Sequence, residues 1–292
     1  MPLAAIILVL LSTFMHAGWN LLVRSQPRTG YTLLRITMVI VAVGLGPVLI
    51  IELVDTPLPP QVWPYLVVTG IFQAIYQVGL AQGYQNGHFT VVYPVARALP
   101  ILLLAGVDAL RGRDPSAVAW AGMMLVLGGC MVIPLESLRN FKVSYYWNKT
   151  MVWIVVTAVG TVGYTLIDKL AAEFIPPGPG PAARYGIFEF AATTLFYWFM
   201  LKAAHQPTSG PGGWPGWKVP ALGATGFFGA YWLVLWSYQL SPQASYVVAL
   251  RQLSIVMGVI IGAMLFHEPA PALRLSASVI IVTGIACIAL GG

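Results

Sequence analysis

Charge is what this 292-residue sequence has least of: 15 Lys or Arg and 9 Asp or Glu make up 8% of the chain, against 58% hydrophobic residues. Soluble domains carry roughly 25% charged residues, so the composition excludes them. A chain this apolar cannot stay solvated without structure, which excludes disorder too. Cysteine is nearly missing. Cys130 and Cys287 lie in apolar stretches without CxxC or Cys/His spacing, so neither a disulfide framework nor a metal site is expected. HExxH, GxSxG and the GxxxxGK[ST] phosphate loop are absent. That removes the commonest hydrolase and nucleotide-driven readings and leaves no cofactor implied. No Lys or Arg precedes Arg24, so the first apolar stretch lacks the basic start of a cleaved signal peptide and is expected to be retained.

What is present is apolar sequence in long runs. Pro, Gly and charge divide it into ten spans, near 2–23, 31–53, 62–85, 89–110, 116–134, 150–170, 183–202, 218–240, 243–265 and 272–290. A helix needs roughly 20 residues to cross a bilayer, and backbone groups in lipid must bond within their own segment. The expected fold is an all-α membrane protein with ten transmembrane helices. The net charge of +6 resides mostly in short connections, where it suits lipid headgroups and topology rather than nucleic acid. Trp63, Trp120, Trp147, Trp198, Trp214 and Trp217 fall near span ends, as headgroup anchors do.

A shift of 154 residues, from 80 to 234, lays Leu80–Pro115 on Val234–Pro269 without a gap. Tyr84/Tyr238, Gln85/Gln239, Arg97/Arg251, Leu99/Leu253 and Pro115/Pro269 then coincide, with Asp114 opposite Glu268. Five spans per copy is an odd number, so the two copies enter the bilayer from opposite sides as inverted repeats. The expected organisation is a first five-helix repeat at 1–134, an interfacial linker at 135–149 (LESLRNFKVSYYWNK) and a second repeat at 150–292.

Only Arg35, Arg97, Glu189 and Arg251 fall well inside the spans, while Asp108 and Asp168 stand near helix ends, where water is within reach. A charge at the membrane centre costs roughly 2.5–3.5 kcal/mol on insertion scales, so the four should face a partner or a wet cavity. Under the same shift they pair, Arg35 with Glu189 and Arg97 with Arg251. The first pair lies about a turn into its helices, which suits clamps between helices. The second is deeper, where a forked guanidinium can hold a substrate carboxylate as readily as a packing salt bridge. His16, Trp19, Asn20, Tyr76, Gln77, Tyr93, Tyr164, Tyr231, Trp232 and Tyr246 interrupt the spans at related positions. With Arg97 and Arg251 they form the candidate substrate-binding set, apolar with a few polar points; plain helix packing is the competing reading for each aromatic. Glu189 and His16 are the candidates for proton coupling. Gly79-x-x-x-Gly83 and Gly258-x-x-x-Gly262 mark close helix contact.

Taken together, Trp19-Asn20, Arg35, the Pro94-x-x-Arg97-x-x-Pro100 pattern, the acidic-Pro turns Asp114-Pro115 and Glu268-Pro269, ten spans and a repeat resemble the drug/metabolite transporter superfamily over the whole chain. The similarity is to its ten-helix EamA-type branch. The second copy departs from the proline pattern, with Val248 and Ser254 in those places. The resemblance implies an integral membrane transporter that exports small metabolites by alternating access, and aromatic amino-acid exporters are the subgroup it suggests. The expected cargo is an amino acid with an aromatic or bulky apolar side chain. A sugar-phosphate or nucleotide-sugar carrier would want lysines in span cores, which are absent here. A small-multidrug mechanism would want a carboxylate deep in the first span, and an intramembrane lipid-modifying enzyme would want a Ser/His or carboxylate constellation. The expected partners are a small-molecule substrate and the lipid bilayer, without nucleic acid and with a monomer sufficing. The resemblance implies an inner-membrane location with cytoplasmic termini. The loop charges point the other way: Arg24, Arg28, Arg139, Lys142, Lys149, Lys202, Lys218 and Arg274 face Arg111, Arg113, Lys169 and Arg184, eight against four.

Overall fold

The structure, a computed structural model, describes residues 1–24, 26, 28–86, 89–133, 135, 149–208, 216–257 and 271–291, and for 24, 84, 86, 89–99, 149–150 and 271 the backbone alone. The described residues form ten helices: α1 Leu3–Arg24, α2 Thr29–Val54, α3 Val62–Asn86, α4 Phe89–Leu110, α5 Ala117–Val132, α6 Lys149–Ala171, α7 Pro179–Ala203, α8 Lys218–Leu240, α9 Ala244–Leu250 and α10 Pro271–Gly291. Six of them, α1, α2, α3, α6, α8 and α10, are long and apolar enough to cross a bilayer. Their outward faces carry Val43, Val152, Leu222 and Val279 in the open, as a lipid solvent permits. Trp147, Trp214, Gly258, Gly262 and the body of the linker lie outside the described residues.

Local signals explain where the helices stop and start. Gly112 at φ 72° and Gly178 at φ 143° hold conformations that side chains with a Cβ avoid. Pro179 opens α7, where a missing N–H costs nothing. The Ser116 hydroxyl caps α5 by accepting the Ala119 N–H at 3.1 Å.

Packing follows the repeat. α3 packs on α6 as α8 packs on α1, α3 on α7 as α8 on α2, and α4 on α6 as α9 on α1, while α2·α7, α4·α9 and α5·α10 pair each helix with the one five places on. Glycine sets the closest approaches. A Cβ on Gly160 would lie 2.5 Å from the Tyr76 nitrogen, one on Gly79 2.7 Å from the Thr157 nitrogen, and Gly122 and Gly284 face each other's carbonyl oxygens. Small residues let membrane helices come this close.

The ninth span is not continuous. The sequence reads as one helix over 243–265, whereas α9 ends at Leu250 and turns at Arg251-Gln252 before helix resumes to Met257. The Gln252, Ser254 and Ile255 N–H groups donate three residues back, to Ala249, Arg251 and Gln252. The Val248 carbonyl so released accepts the Gln252 side-chain amide at 2.9 Å, and the Ser254 hydroxyl donates to the Arg251 carbonyl at 2.9 Å. Side chains thus repair the backbone, which is how a break survives at membrane depth without Pro or Gly.

One end of the bundle is cross-linked by polar contacts. Glu173, between α6 and α7, pairs with Arg111 at 3.0 Å and Arg113 at 2.7 Å. Arg113 also donates to the Pro242 carbonyl between α8 and α9. Asp108 accepts the Ala244 and Ser245 N–H groups that begin α9, and Lys169 donates to the Tyr238 carbonyl at 2.7 Å. Arg184 donates to the Thr56 carbonyl and stands 3.7 Å from Glu52. Asp108 is therefore buried against α9 and not in reach of water, a correction to its reading as a helix-end charge. Lys169 and Arg184 are buried as well.

Candidate functional site

The break in α9 places the buried guanidinium of Arg251 against α1. Its Nη2 lies 3.3 Å from His16 Nδ1, and Trp19 Nε1–H donates to the same nitrogen at 3.2 Å. An indole N–H can only donate, so His16 Nδ1 is an acceptor here and the imidazole is neutral, with its proton on Nε2. Its electrostatic neighbours include the phenols of Tyr76 of α3, Tyr164 of α6, and Tyr231 and Tyr238 of α8.

Three of these phenols, Tyr76, Tyr164 and Tyr231, belong to a continuous set of rings. Tyr164 meets Tyr76 edge-on at 5.6 Å and Tyr231 at 5.7 Å between centroids. Phe190 of α7 meets Tyr231 at 6.0 Å and Phe227 at 5.1 Å, and Phe227 stacks on Trp19 at 4.2 Å. Six rings from α1, α3, α6, α7 and α8 therefore converge beside one cation and one neutral imidazole. Such a set can satisfy a carboxylate at one end and an apolar body at the other.

On the other side of Tyr231 stand two buried carboxylates. Asp168 Oδ1 accepts the Thr69 hydroxyl at 2.6 Å and the Tyr185 hydroxyl at 2.8 Å, and its Oδ2 accepts the Tyr231 hydroxyl. Asp168 is 1% exposed, which corrects its reading as a helix-end residue open to water. Glu189, also 1% exposed, makes no well-formed hydrogen bond on either carboxyl oxygen among the described residues; it faces Asp168 and the Tyr231 hydroxyl, which is donated to Asp168.

The structure thus brings together His16, Trp19, Tyr76, Tyr164, Tyr231 and Arg251, with Glu189 adjoining. Asn20 is buried and bonds along its own helix, donating to the His16 carbonyl at 2.8 Å. Gln77 is fully buried, and both its polar side-chain atoms lack a partner among the described residues. Two candidates stand elsewhere: Trp232 donates outward to the Pro179 carbonyl at 2.8 Å, and the Tyr246 hydroxyl accepts the Ser116 N–H at 3.3 Å. Tyr93 and Arg97 lie outside the described side chains. Arg35, paired with Glu189 by the repeat, instead bonds the Gly216 carbonyl at 3.3 Å and lies 4.2 Å over the Trp217 ring. Sequence reasoning missed Phe190 and Phe227 as members of the ring set, and Thr69, Asp168 and Tyr185 as the separate polar group on the far side of Tyr231. An open pocket lined by Arg28, Tyr31, Gln82, Gln85 and Trp153 among others shares none of these residues.

A bundle of ten helices, apolar outside and polar at a few buried points within, defines the class: a multi-pass membrane protein built around a central site. Residues 3–135 match the model of the EamA-like transporter family, so this part of the chain is an EamA-like transporter domain, consistent with a membrane transporter of the drug/metabolite superfamily. One solved protein crystal structure is similar over 98% of this chain and 97% of that one, with a TM-score of 0.67 and 16% identity, and shows the fold alone. No curated protein matches.

Proposed function

We propose that this chain exports amino acids with aromatic or bulky apolar side chains by alternating access between inverted halves at 1–134 and 150–292, joined at the membrane surface by 135–149. The observation that carries the reading is Arg251. It is a buried guanidinium, held at a break in a helix, beside aromatic rings contributed by both halves. Its fork matches a carboxylate, and Trp19, Tyr76, Tyr164 and Tyr231 offer a surface for the side chain. In transporters, interrupted helices commonly mark the place where cargo is held. In this reading the chain lies in the inner membrane with cytoplasmic termini, so the cross-linked end faces the cytoplasm. This orientation follows the family resemblance, against the loop-charge count.

The test compares two inhibitors of labelled phenylalanine transport that differ only in the carboxylate, unlabelled phenylalanine and phenethylamine. Wild type should prefer phenylalanine. Losing a charge-assisted hydrogen bond costs roughly 1.5–3 kcal/mol, so Arg251→Gln should weaken phenylalanine on the order of tenfold to a hundredfold and leave phenethylamine unchanged. Arg251→Lys should fall between. Equal preference for the two inhibitors in wild type, or an unchanged preference in Arg251→Gln, would rule Arg251 out as the carboxylate anchor. Arg97→Gln is measured beside it, since the repeat makes Arg97 the counterpart of Arg251.

A further inference from the structure

We propose that Asp168 and Glu189 together form a one-proton site that couples transport to a proton gradient, with the Tyr231 hydroxyl between them. The two carboxyls are treated unequally by their surroundings. Asp168 receives three hydroxyl donors, from Thr69, Tyr185 and Tyr231. Three donors stabilise an anion. Glu189, as deeply buried, has no donor of its own among the described residues, because the Tyr231 hydroxyl that it approaches is committed to Asp168. An unpaired carboxylate at that depth would carry the full cost of desolvation, and two adjoining carboxylates cannot both be charged cheaply. Glu189 therefore holds the proton and Asp168 the charge.

Among the described residues no neighbour supplies a compensating cation. None of the described Lys, Arg or His groups lies within 4.0 Å of either carboxylate. From α3 the pair meets Thr69 and from α8 Tyr231, with Tyr185 on α7 itself. α2 brings Arg35, which is engaged with Gly216 and Trp217, and α4 brings Asp108, which is engaged with the start of α9. On α6, Lys169 donates to the Tyr238 carbonyl, and beyond α9 Arg251 faces His16 and the phenols. Arg97 of α4 is outside the described side chains.

Tyr231 makes the site more than an isolated acid. Its hydroxyl donates to Asp168, and its ring touches Tyr164 and Phe190. A cargo side chain seated on those rings shifts the hydroxyl that holds Asp168, so occupation and protonation bias each other. The cycle balances simply: one proton is taken from water at one face to form the Glu189 acid, and the same proton is released at the other face. This last step rests on the amino-acid reading above; the protonation itself does not.

Two measurements keep the two ideas apart. The first needs no cargo: infrared spectra of the purified protein in H₂O and D₂O at neutral pH. Wild type should show an isotope-sensitive band of a protonated carboxylic acid that is missing from Glu189→Gln and retained in Asp168→Asn. No such band, or one that survives Glu189→Gln, overturns the proposal. The second uses labelled phenylalanine in proteoliposomes, as exchange at equal concentrations and as accumulation under an imposed pH gradient. Glu189→Gln and Asp168→Asn should keep exchange and lose accumulation. Gradient-driven accumulation at the wild-type level in both variants, accumulation that follows sodium instead of protons, or loss of exchange together with accumulation overturns it. If wild type moves no phenylalanine but shows the band, the cargo reading fails and the proton site stands.

Discussion

Glu173 is the single carboxylate shared by Arg111 and Arg113 at the cross-linked end. Partial burial raises its pKa, but hydrogen bonds and charge from the two arginines outweigh that and hold it below the ordinary carboxylate value. The sign of the pH dependence follows. A depressed carboxyl stabilises the fold at all pH above its unfolded value, and the contribution fades as pH falls through the folded one. Both partners are partly exposed, so screening limits the pairs to at most about 1 kcal/mol. Glu173→Gln should lower the melting temperature of the detergent-solubilised protein by a few degrees at most at neutral pH, with the difference vanishing in acid. A difference that grows as pH falls would contradict the assignment. At this scale the sequence was partly legible. Arg251 and Glu189 stood out because charge is scarce inside apolar spans. Asp168 did not, because three residues from the end of α6 its exposure is decided by α3, α7 and α8, which are distant in sequence.

Among the helices, the repeat predicts matched contacts with unequal tolerances. α3·α6 and α8·α1 are counterparts, yet the glycines in them meet different atoms. At Gly160 a Cβ would strike the Tyr76 backbone at 2.5 Å, whereas at Gly229 it would strike only the end of the Met15 side chain. Methionine can swing aside, but backbone cannot. Gly160→Ala should therefore cost roughly 1–3 kcal/mol as an overpacked contact, and Gly229→Ala should cost far less. Thermal unfolding in detergent compares them, and equal losses would contradict the packing. Span boundaries were legible to within a few residues because apolar runs and their punctuation encode them. The interruption after Leu250 was not. Its signals are Gln252 and Ser254, ordinary polar residues that matter only once their side chains bond Val248 and Arg251 carbonyls.

For the whole molecule, the packing of α2 on α7, α4 on α9 and α5 on α10, each on its counterpart five places on, agrees with the 154-residue shift, which stood out because matched polar residues are scarce in apolar sequence. What the shift could not reveal is which side chains meet at the centre. Trp19 and Phe227 share no motif, yet α1 and α8 stack them at 4.2 Å. The proposed cycle requires that centre to open to each face in turn, with contacts at the Glu173 end broken in one of the two states. The most direct measurement is uptake of labelled phenylalanine by purified protein in liposomes, with Arg251→Gln at matched incorporation beside wild type. Saturable uptake is predicted for wild type, competed by tryptophan and leucine and strongly reduced by the substitution. Uptake no greater than in empty liposomes, or equal uptake by the two proteins, would contradict it.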